Sequence, residues 1–312
     1  MACCVIGGSG FIGRVVVQKL VACGREVRVI GRRERPPADL DARVAYLSGD
    51  YGDAMFLKTA LSGVDEIIDL AYSTVPKSSF EDPIHDITTN LPQAVNLLQV
   101  LAEKKNIRKL VVVSSGGTVY GPALHVPIPE DHQTNPISPY GITKLAVEKY
   151  ALMYHRIFNV PSTIVRPGNA YGEGQLPYRG QGFIATAIAA ILKGEAVTVF
   201  GGGQIVRDYV HVEDVADGII AALEWGRPGL CYNVGSGTGL TTNEVLSSIA
   251  VLAQQLGKAV VVESRPMRAF DVPVNILDCS RIQAETGWRA KIGFADGLER
   301  VWRWFLGGHS EL

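Results

Sequence analysis

The sequence predicts an α/β fold, a doubly wound parallel sheet followed by a smaller mixed α/β lobe. Short apolar runs alternate with amphipathic stretches through the first half of the chain. Those runs are apolar throughout, as in strands covered on both faces, rather than alternating as in strands with one wet face. After the Pro- and Gly-rich stretch 166–182 the pattern becomes more mixed.

Each element has its own signal. Cys3–Ile6 is a short buried strand. Phe11–Cys23 carries Phe11, Ile12, Val15, Val16 and Leu20 at helical spacing and stops at Gly24. Val27–Ile30, Val44–Leu47 and Glu66–Leu70 follow as strands, then a long helix over Asp86–Lys104. Leu110–Ser114 is a fifth strand, Ser138–Phe158 a helix and Ser162–Val165 a sixth strand. Beyond the boundary the expected helices are Gly182–Lys193, Val212–Trp225 and Asn243–Leu256. The expected strands there are Ala196–Phe200, Tyr232–Val234 and Val260–Glu263. Residues 1–167 are thus expected to form one domain, with segments near 205–235 returning to it, and residues 168–312 mainly a second lobe.

Bulk properties narrow the function. The chain has 312 residues, 47% hydrophobic and 20% charged, the composition of an ordinary soluble enzyme. Its 30 basic and 31 acidic residues leave a net charge of -1, with no electrostatic footprint for nucleic acid or an anionic membrane. No run approaches the roughly 20 apolar residues of a membrane span. The first residues lack the charged start and long apolar stretch of a signal peptide. The five cysteines (Cys3, Cys4, Cys23, Cys231, Cys279) fit neither a disulfide framework nor a metal site, and read as small buried hydrophobes in a reducing compartment. The six histidines are scattered, so no metal is expected. The expected location is the cytoplasm.

Two motifs carry chemistry. Gly7-Gly-Ser-Gly10-Phe11-Ile12-Gly13 lies between the first strand and the first helix. Gly7 allows the tight turn, Gly10 lets the backbone approach a pyrophosphate, and Gly13 lets helix pack on sheet. Free amides at the helix start then meet the anion. The second strand ends Ile30-Gly31-Arg32-Arg33, without the carboxylate that usually binds the adenosine ribose of NAD. The arginine pair suits the 2′-phosphate of NADP or is a solvated basic turn.

The second motif, Tyr140-Gly-Ile-Thr-Lys144, sets a phenol and an ammonium one helical turn apart. A lysine cation and an oxidised nicotinamide both favour the phenolate. A shift of about three pKa units needs roughly 4 kcal/mol of differential interaction. The pair follows Leu-Val-Val-Val-Ser114-Ser115-Gly-Gly-Thr118-Val-Tyr120-Gly121, which places it at the carboxyl edge of the sheet, where ligands bind.

With these motifs in place the sequence resembles, over almost its full length, the extended short-chain dehydrogenase/reductase family, and within it the nucleotide-sugar epimerases. The resemblance implies a Rossmann-type fold and a tightly held NAD, with NADP as the alternative. Asp50, followed by Tyr51, matches the family's adenine-contacting acid. Leu70-Ala71 matches the loop under the cofactor, and Asn90 the asparagine near the nicotinamide. Ser114, Ser115, Thr118, Tyr140 and Lys144 fall in the active-site region. Arg166-Pro167-Gly168-Asn169 matches the segment after the sixth strand, with Pro167 beside the cofactor and Asn169 facing the sugar nucleotide. Arg207-Asp208-Tyr209-Val-His211-Val-Glu-Asp214 resembles a hallmark whose arginine binds the diphosphate. Arg268 and Asp271 match a pair that holds phosphate and uridine ribose, Phe200 sits where uracil packs, and Asn275 lies near the sugar 2-substituent. Bland readings stand beside these: Asp214 as a helix cap, Asp50 as a turn residue, and Arg207 and Arg268 as surface salt-bridge partners.

The departures matter as much. The usual hydroxyl residue four before the Val-Tyr tyrosine is Gly116, so Ser115, Thr118 or both must bond the sugar O4. The loop Tyr72-Ser73-Thr74 differs from the common small-residue version. The 4,6-dehydratases carry Asp-Glu where this chain has Gly117-Thr118, which disfavours water elimination and also a decarboxylase that needs that glutamate. The function implied is a UDP-hexose or UDP-N-acetylhexosamine 4-epimerase acting through a transient 4-keto sugar, as a homodimer. A small polar Asn275 leaves room for the N-acetyl group. The alternatives are an NADPH-dependent keto-sugar or carbonyl reductase and a non-catalytic dinucleotide sensor.

Overall fold

The computed structural model describes residues 1–104 and 106–308. In chain order the first half forms β1 (Ala2–Ile6), α1 (Phe11–Ala22), β2 (Glu26–Gly31), β3 (Ala45–Ser48), α2 (Ala54–Ala60) and β4 (Glu66–Asp69). Then come α3 (Pro76–Glu81), α4 (Pro83–Glu103), β5 (Lys109–Val113), α5 (Pro139–Phe158) and β6 (Ser162–Pro167). The second half forms β7 (Asn169–Tyr171), α6 (Phe183–Lys193), β8 (Val197–Phe200), β9 (Val206–Arg207), β10 (Tyr209–His211) and α7 (Val212–Glu224). It ends with β11 (Cys231–Val234), β12 (Leu240–Thr241), α8 (Thr242–Gln254), β13 (Val262–Arg265), β14 (Val274–Asn275), α9 (Ser280–Thr286) and α10 (Phe294–Leu306).

The main sheet has seven strands in the order β11-β6-β5-β4-β1-β2-β3, and every pairing in it is parallel. Side chains alternate between its faces. Cys3 and Val5 join a core with Val16, Val17 and Leu20 of α1 and Ile219 and Leu223 of α7. Cys4 and Ile6 join a core with Leu97 and Leu98 of α4 and Val147 and Ala151 of α5. The doubly wound sheet expected from the apolar runs is therefore present. Strand order reverses at β1, so a crevice opens at the carboxyl ends of β1 and β4.

A separate core of α6, α8 and α10 includes Ile188, Ile249, Val301 and Trp302. Around it lie three small sheets, β10-β7, β12-β9-β14 and β13-β8. The loop after β7 ties this part to the phosphate turn. Arg14 of α1 donates to the Glu173 carbonyl at 3.0 Å, and Arg300 of α10 donates to the Glu173 carboxylate at 2.8 Å. His211 Nδ1 accepts from the Glu213 amide, so Nε2 carries the proton and donates to Glu173 at 3.0 Å.

Some elements differ from expectation. The long helix starts nearly a turn earlier, at Pro83, because Asp82 caps it by accepting from the His85 amide at 2.8 Å. Helices α2, α3, α9 and α10 were not expected. Asp214 does not cap α7: His211 does, and the Asp214 carboxylate instead accepts from the amides of Lys291 and Ile292. The cysteines are all free, but Cys23 is exposed rather than buried. Among the described residues no helix is long and apolar enough to cross a membrane.

Candidate active site

The glycine turn sits at the crevice. Gly7 has φ +78, and a Cβ there would come within 3.0 Å of the Ala71 amide nitrogen. So Gly7 lets Leu70-Ala71, after β4, pass directly over the turn. At Gly13 a Cβ would lie 2.3 Å from the Gly7 carbonyl oxygen, which no side chain tolerates. At Gly10 a Cβ would meet only the Gly7 oxygen, at 3.3 Å, and otherwise open space. Helix α1 has no side-chain cap. Its first amides, from Phe11 and Ile12 on, adjoin that open space, an arrangement that fits a dinucleotide pyrophosphate.

At the adenosine end, the position of the usual carboxylate is closed. A Cβ at Gly31 would lie 2.6 Å from the Tyr46 hydroxyl, which donates to the Arg33 carbonyl at 2.8 Å. Arg32 and Arg33 are exposed. Asp50 closes a turn by accepting from the Gly52 amide at 2.8 Å, and Tyr51 is buried behind it. Asn90 is buried and spends its amide on the loop after β4: its Oδ1 accepts from the Ser73 amide at 2.7 Å and its Nδ2 donates to Thr74. It fixes that loop from beneath.

Helix α5 carries Tyr140 and Lys144. Ser138 caps it by accepting from the Gly141 amide, and Pro139 fits the first turn. The Tyr140 amide, unpaired within the helix, donates to Ser79 of α3 at 3.1 Å. Lys144 is buried and donates to the Val113 carbonyl at 2.9 Å. Burial pulls its ammonium down to about 8, against the carboxylates of Asp69, Glu148 and Asp86. Burial pushes the Tyr140 phenol well up, Asp86 adds to this, and the Ser115 hydroxyl works the other way. The protein alone therefore keeps Tyr140 protonated.

Several residues gather near Lys144 whose meeting the sequence does not announce, although Tyr72 lies in a loop that departs from the family's common version. Asp69 ends β4; burial raises it to about 6, opposed by Lys144 and by the Ala71 amide. Asp86 is fully buried on α4. Tyr72 meets Tyr140 edge to face with centroids 4.9 Å apart. They converge from separate elements, so no spacing within one segment announces them.

Buried polar atoms without partners mark the same region: Ser114 Oγ, Thr118 Oγ1 and Asn275 Oδ1. The Asn169 amide oxygen lies beside Gly117, 3.2 Å from where a Cβ would be. Pro167 accepts from the Gly116 amide through its carbonyl at 2.8 Å. Asn275 is buried, and its Nδ2 donates to the Gly116 carbonyl at 3.0 Å.

The cationic end is compact rather than scattered on the surface. Arg268 grips Asp271 with two 2.8 Å hydrogen bonds. Arg207 lies 3.8 Å from the same carboxylate and donates to the Val272 carbonyl at 2.7 Å. Arg268 also stacks over Phe200, 4.5 Å from the ring centroid.

A glycine turn at the switch point, with a Tyr-Lys pair at the carboxyl edge of the same sheet, defines an extended short-chain dehydrogenase/reductase. The chain belongs to the NAD dependent epimerase/dehydratase family, whose model matches residues 3–235. It resembles a UDP-glucose 4-epimerase of Thermotoga maritima solved with UDP-glucose, at 31% identity and TM-score 0.92, covering 99% of each chain. A UDP-glucose 4-epimerase of Thermus thermophilus solved with NAD is 34% identical with TM-score 0.90, covering 98% of this chain and 99% of that one. A dTDP-glucose 4,6-dehydratase of Streptomyces venezuelae with NAD bound is 30% identical with TM-score 0.91, covering 100% and 98%. Overall likeness does not separate epimerase from dehydratase; the site must.

Proposed function

We propose that this chain is a nucleotide-sugar 4-epimerase that keeps its NAD bound, with a UDP-hexose or UDP-N-acetylhexosamine as substrate. The observation that carries this reading is the set of groups after β5. Tyr140, Ser115 and Lys144 handle one proton, while Gly117-Thr118 supplies no acid and base for eliminating water. Bound NAD supplies a hydride acceptor and donor at the sugar carbon. Tyr140 takes the O4 proton, with Ser115 and Thr118 bonding O4. Lys144 keeps a positive charge beside the phenol. Asn169 contacts the sugar nucleotide. Arg207 and Arg268 hold the diphosphate, Asp271 the ribose and Phe200 the base, so the nucleotide stays fixed while the keto sugar turns. Asn275 is drawn onto the Gly116 carbonyl, which leaves room beside the sugar 2-substituent. Residues 1–167, with segments near 205–235 returning to them, act as the cofactor half and the remainder of 168–312 as the substrate half.

Exposed Ile84 and Ile87 on α4 and Ile142, Tyr150 and Ile157 on α5 suit a homodimer through these helices. We place the enzyme in a reducing cytoplasm, consistent with its free cysteines.

The test is to mix purified protein with UDP-glucose or UDP-N-acetylglucosamine, add no cofactor, and follow the sugar by NMR. The 4-epimer is expected. Failure with every UDP-hexose removes the reading. The second reading, an NADPH-dependent reductase, draws on exposed Arg32 and Arg33 and on the closed position 31. Mass spectrometry of the dinucleotide that copurifies separates the two: NAD is expected.

A further inference from the structure

Tyr72 stands against both members of the catalytic pair. The Lys144 ammonium lies 4.0 Å from the centroid of the Tyr72 ring but 5.9 Å from that of Tyr140. The two phenol rings meet edge to face. At its far end the Tyr72 hydroxyl donates to Asp86 Oδ1 at 3.4 Å. Thr74 donates to the same oxygen, and Asp86 Oδ2 is buried without a partner. The loop is fixed from below by Asn90. Tyr72 is therefore held at both ends.

We propose that Tyr72 is a positioning residue for the Tyr140–Lys144 pair, an aromatic wall that fixes the ammonium and the phenol relative to each other. The role is built on the epimerase reading above.

The geometry gives the two phenols different duties. Burial, the neighbouring Tyr140 and the Asp86 carboxylate keep the Tyr72 proton in place against a hydrogen bond with Thr143, so this phenol stays neutral and offers its π face to the cation. The Tyr140 hydroxyl is also pushed up by burial and by Asp86, but its hydrogen bond with Ser115 works the other way, and an oxidised nicotinamide held beside it would favour its phenolate. Lys144 is clamped between the Val113 carbonyl and the ring. The charged groups acting on it are Asp69 from β4, Asp86 from α4 and Glu148 from its own helix. Glu148 is already engaged by Arg166 in two hydrogen bonds. The ring also excludes water from the space beside the ammonium. Without it, water would screen the pull of Lys144 on the Tyr140 phenolate.

The test compares Tyr72→Phe, which keeps the ring, with Tyr72→Ala, which removes it, in the full-length holoenzyme. Tyrosinate absorbance is followed against pH in each protein and in the same protein carrying Tyr140→Phe. The difference reads the ionisation of Tyr140 alone and needs no sugar substrate. Tyr72→Phe is expected to titrate like the wild type. Tyr72→Ala admits water, which both relieves the burial acting on Tyr140 and screens Lys144, and is expected to move the midpoint by about half a unit or more. The acid limb of kcat should move with it, while KM for the sugar nucleotide stays within about twofold. Equal midpoints in all three proteins, or Tyr72→Phe behaving as Tyr72→Ala, would overturn the proposal. If the wild type epimerises nothing while the midpoints shift as stated, the reaction assignment fails and the positioning role stands.

Discussion

A Cβ on Gly116 would lie 2.6 Å from Cδ1 of Leu277. The same Cβ would lie 2.9 Å from the Arg166 carbonyl oxygen. The position where the family resemblance implies a hydroxyl is therefore closed by packing, not merely left without one. Gly116→Ser should destabilise the protein by about 1–3 kcal/mol and lower activity rather than raise it. Thermal unfolding of Gly116→Ser, Leu277→Ala and the double variant checks this. The two costs should not add, because the second substitution opens the space the first one needs.

Tyr140→Phe removes the phenol proposed to take the O4 proton and little else. The fall in kcat is expected to be about 10²–10⁴-fold, the usual scale for a general acid–base group. Sugar-nucleotide affinity, measured by calorimetry, should stay near that of the wild type. A comparable loss of binding would place Tyr140 in substrate recognition instead.

Arg268 makes its contacts on Asp271 and Phe200, the residues proposed to hold the ribose and the base. Arg268→Ala should therefore raise KM with kcat little changed, since it removes binding common to ground and transition states. A charge-assisted contact of roughly 1.5–3 kcal/mol corresponds to about a 10- to 100-fold rise. A matching fall in kcat would contradict a purely anchoring role.

Glu173 links the phosphate turn to the C-terminal helix and carries a pH signature. Burial opposes its ionisation, but hydrogen bonds from His211 and Arg300 outweigh this and hold the carboxyl down at about 2, from 4.5. A depressed carboxyl pKa means the unfolded chain binds the proton more readily in this window. The stabilisation is thus complete above about pH 4.5 and is lost as pH falls through about 2. Glu173→Gln should flatten the stability–pH curve in that window, as followed by denaturant unfolding at several acid pH values.

Local spacing made much of this legible. The glycine turn and the Tyr140–Lys144 pair each lie within one short segment, and the parallel strands announced themselves by unbroken apolarity. What escaped were relations between segments. Tyr72, Asp69 and Asp86 reach Lys144 from different elements. Asp214 looked like a cap because it follows a strand and opens a helix, but His211 supplies that cap. The bonds from Asn90 to Ser73 and Thr74 of the loop after β4 likewise join separate segments. Helix α10 was missed although Leu298, Val301, Trp302 and Phe305 form a buried stripe at helical spacing.

The central claim is a redox-neutral exchange at C4 within one site. It is tested most directly with UDP-glucose carrying deuterium at C4 and no added dinucleotide. UDP-galactose with the deuterium still at C4 is expected, because hydride leaves and returns to the same carbon. Deuterium lost to solvent, or product formed only when NADPH is supplied, would contradict it.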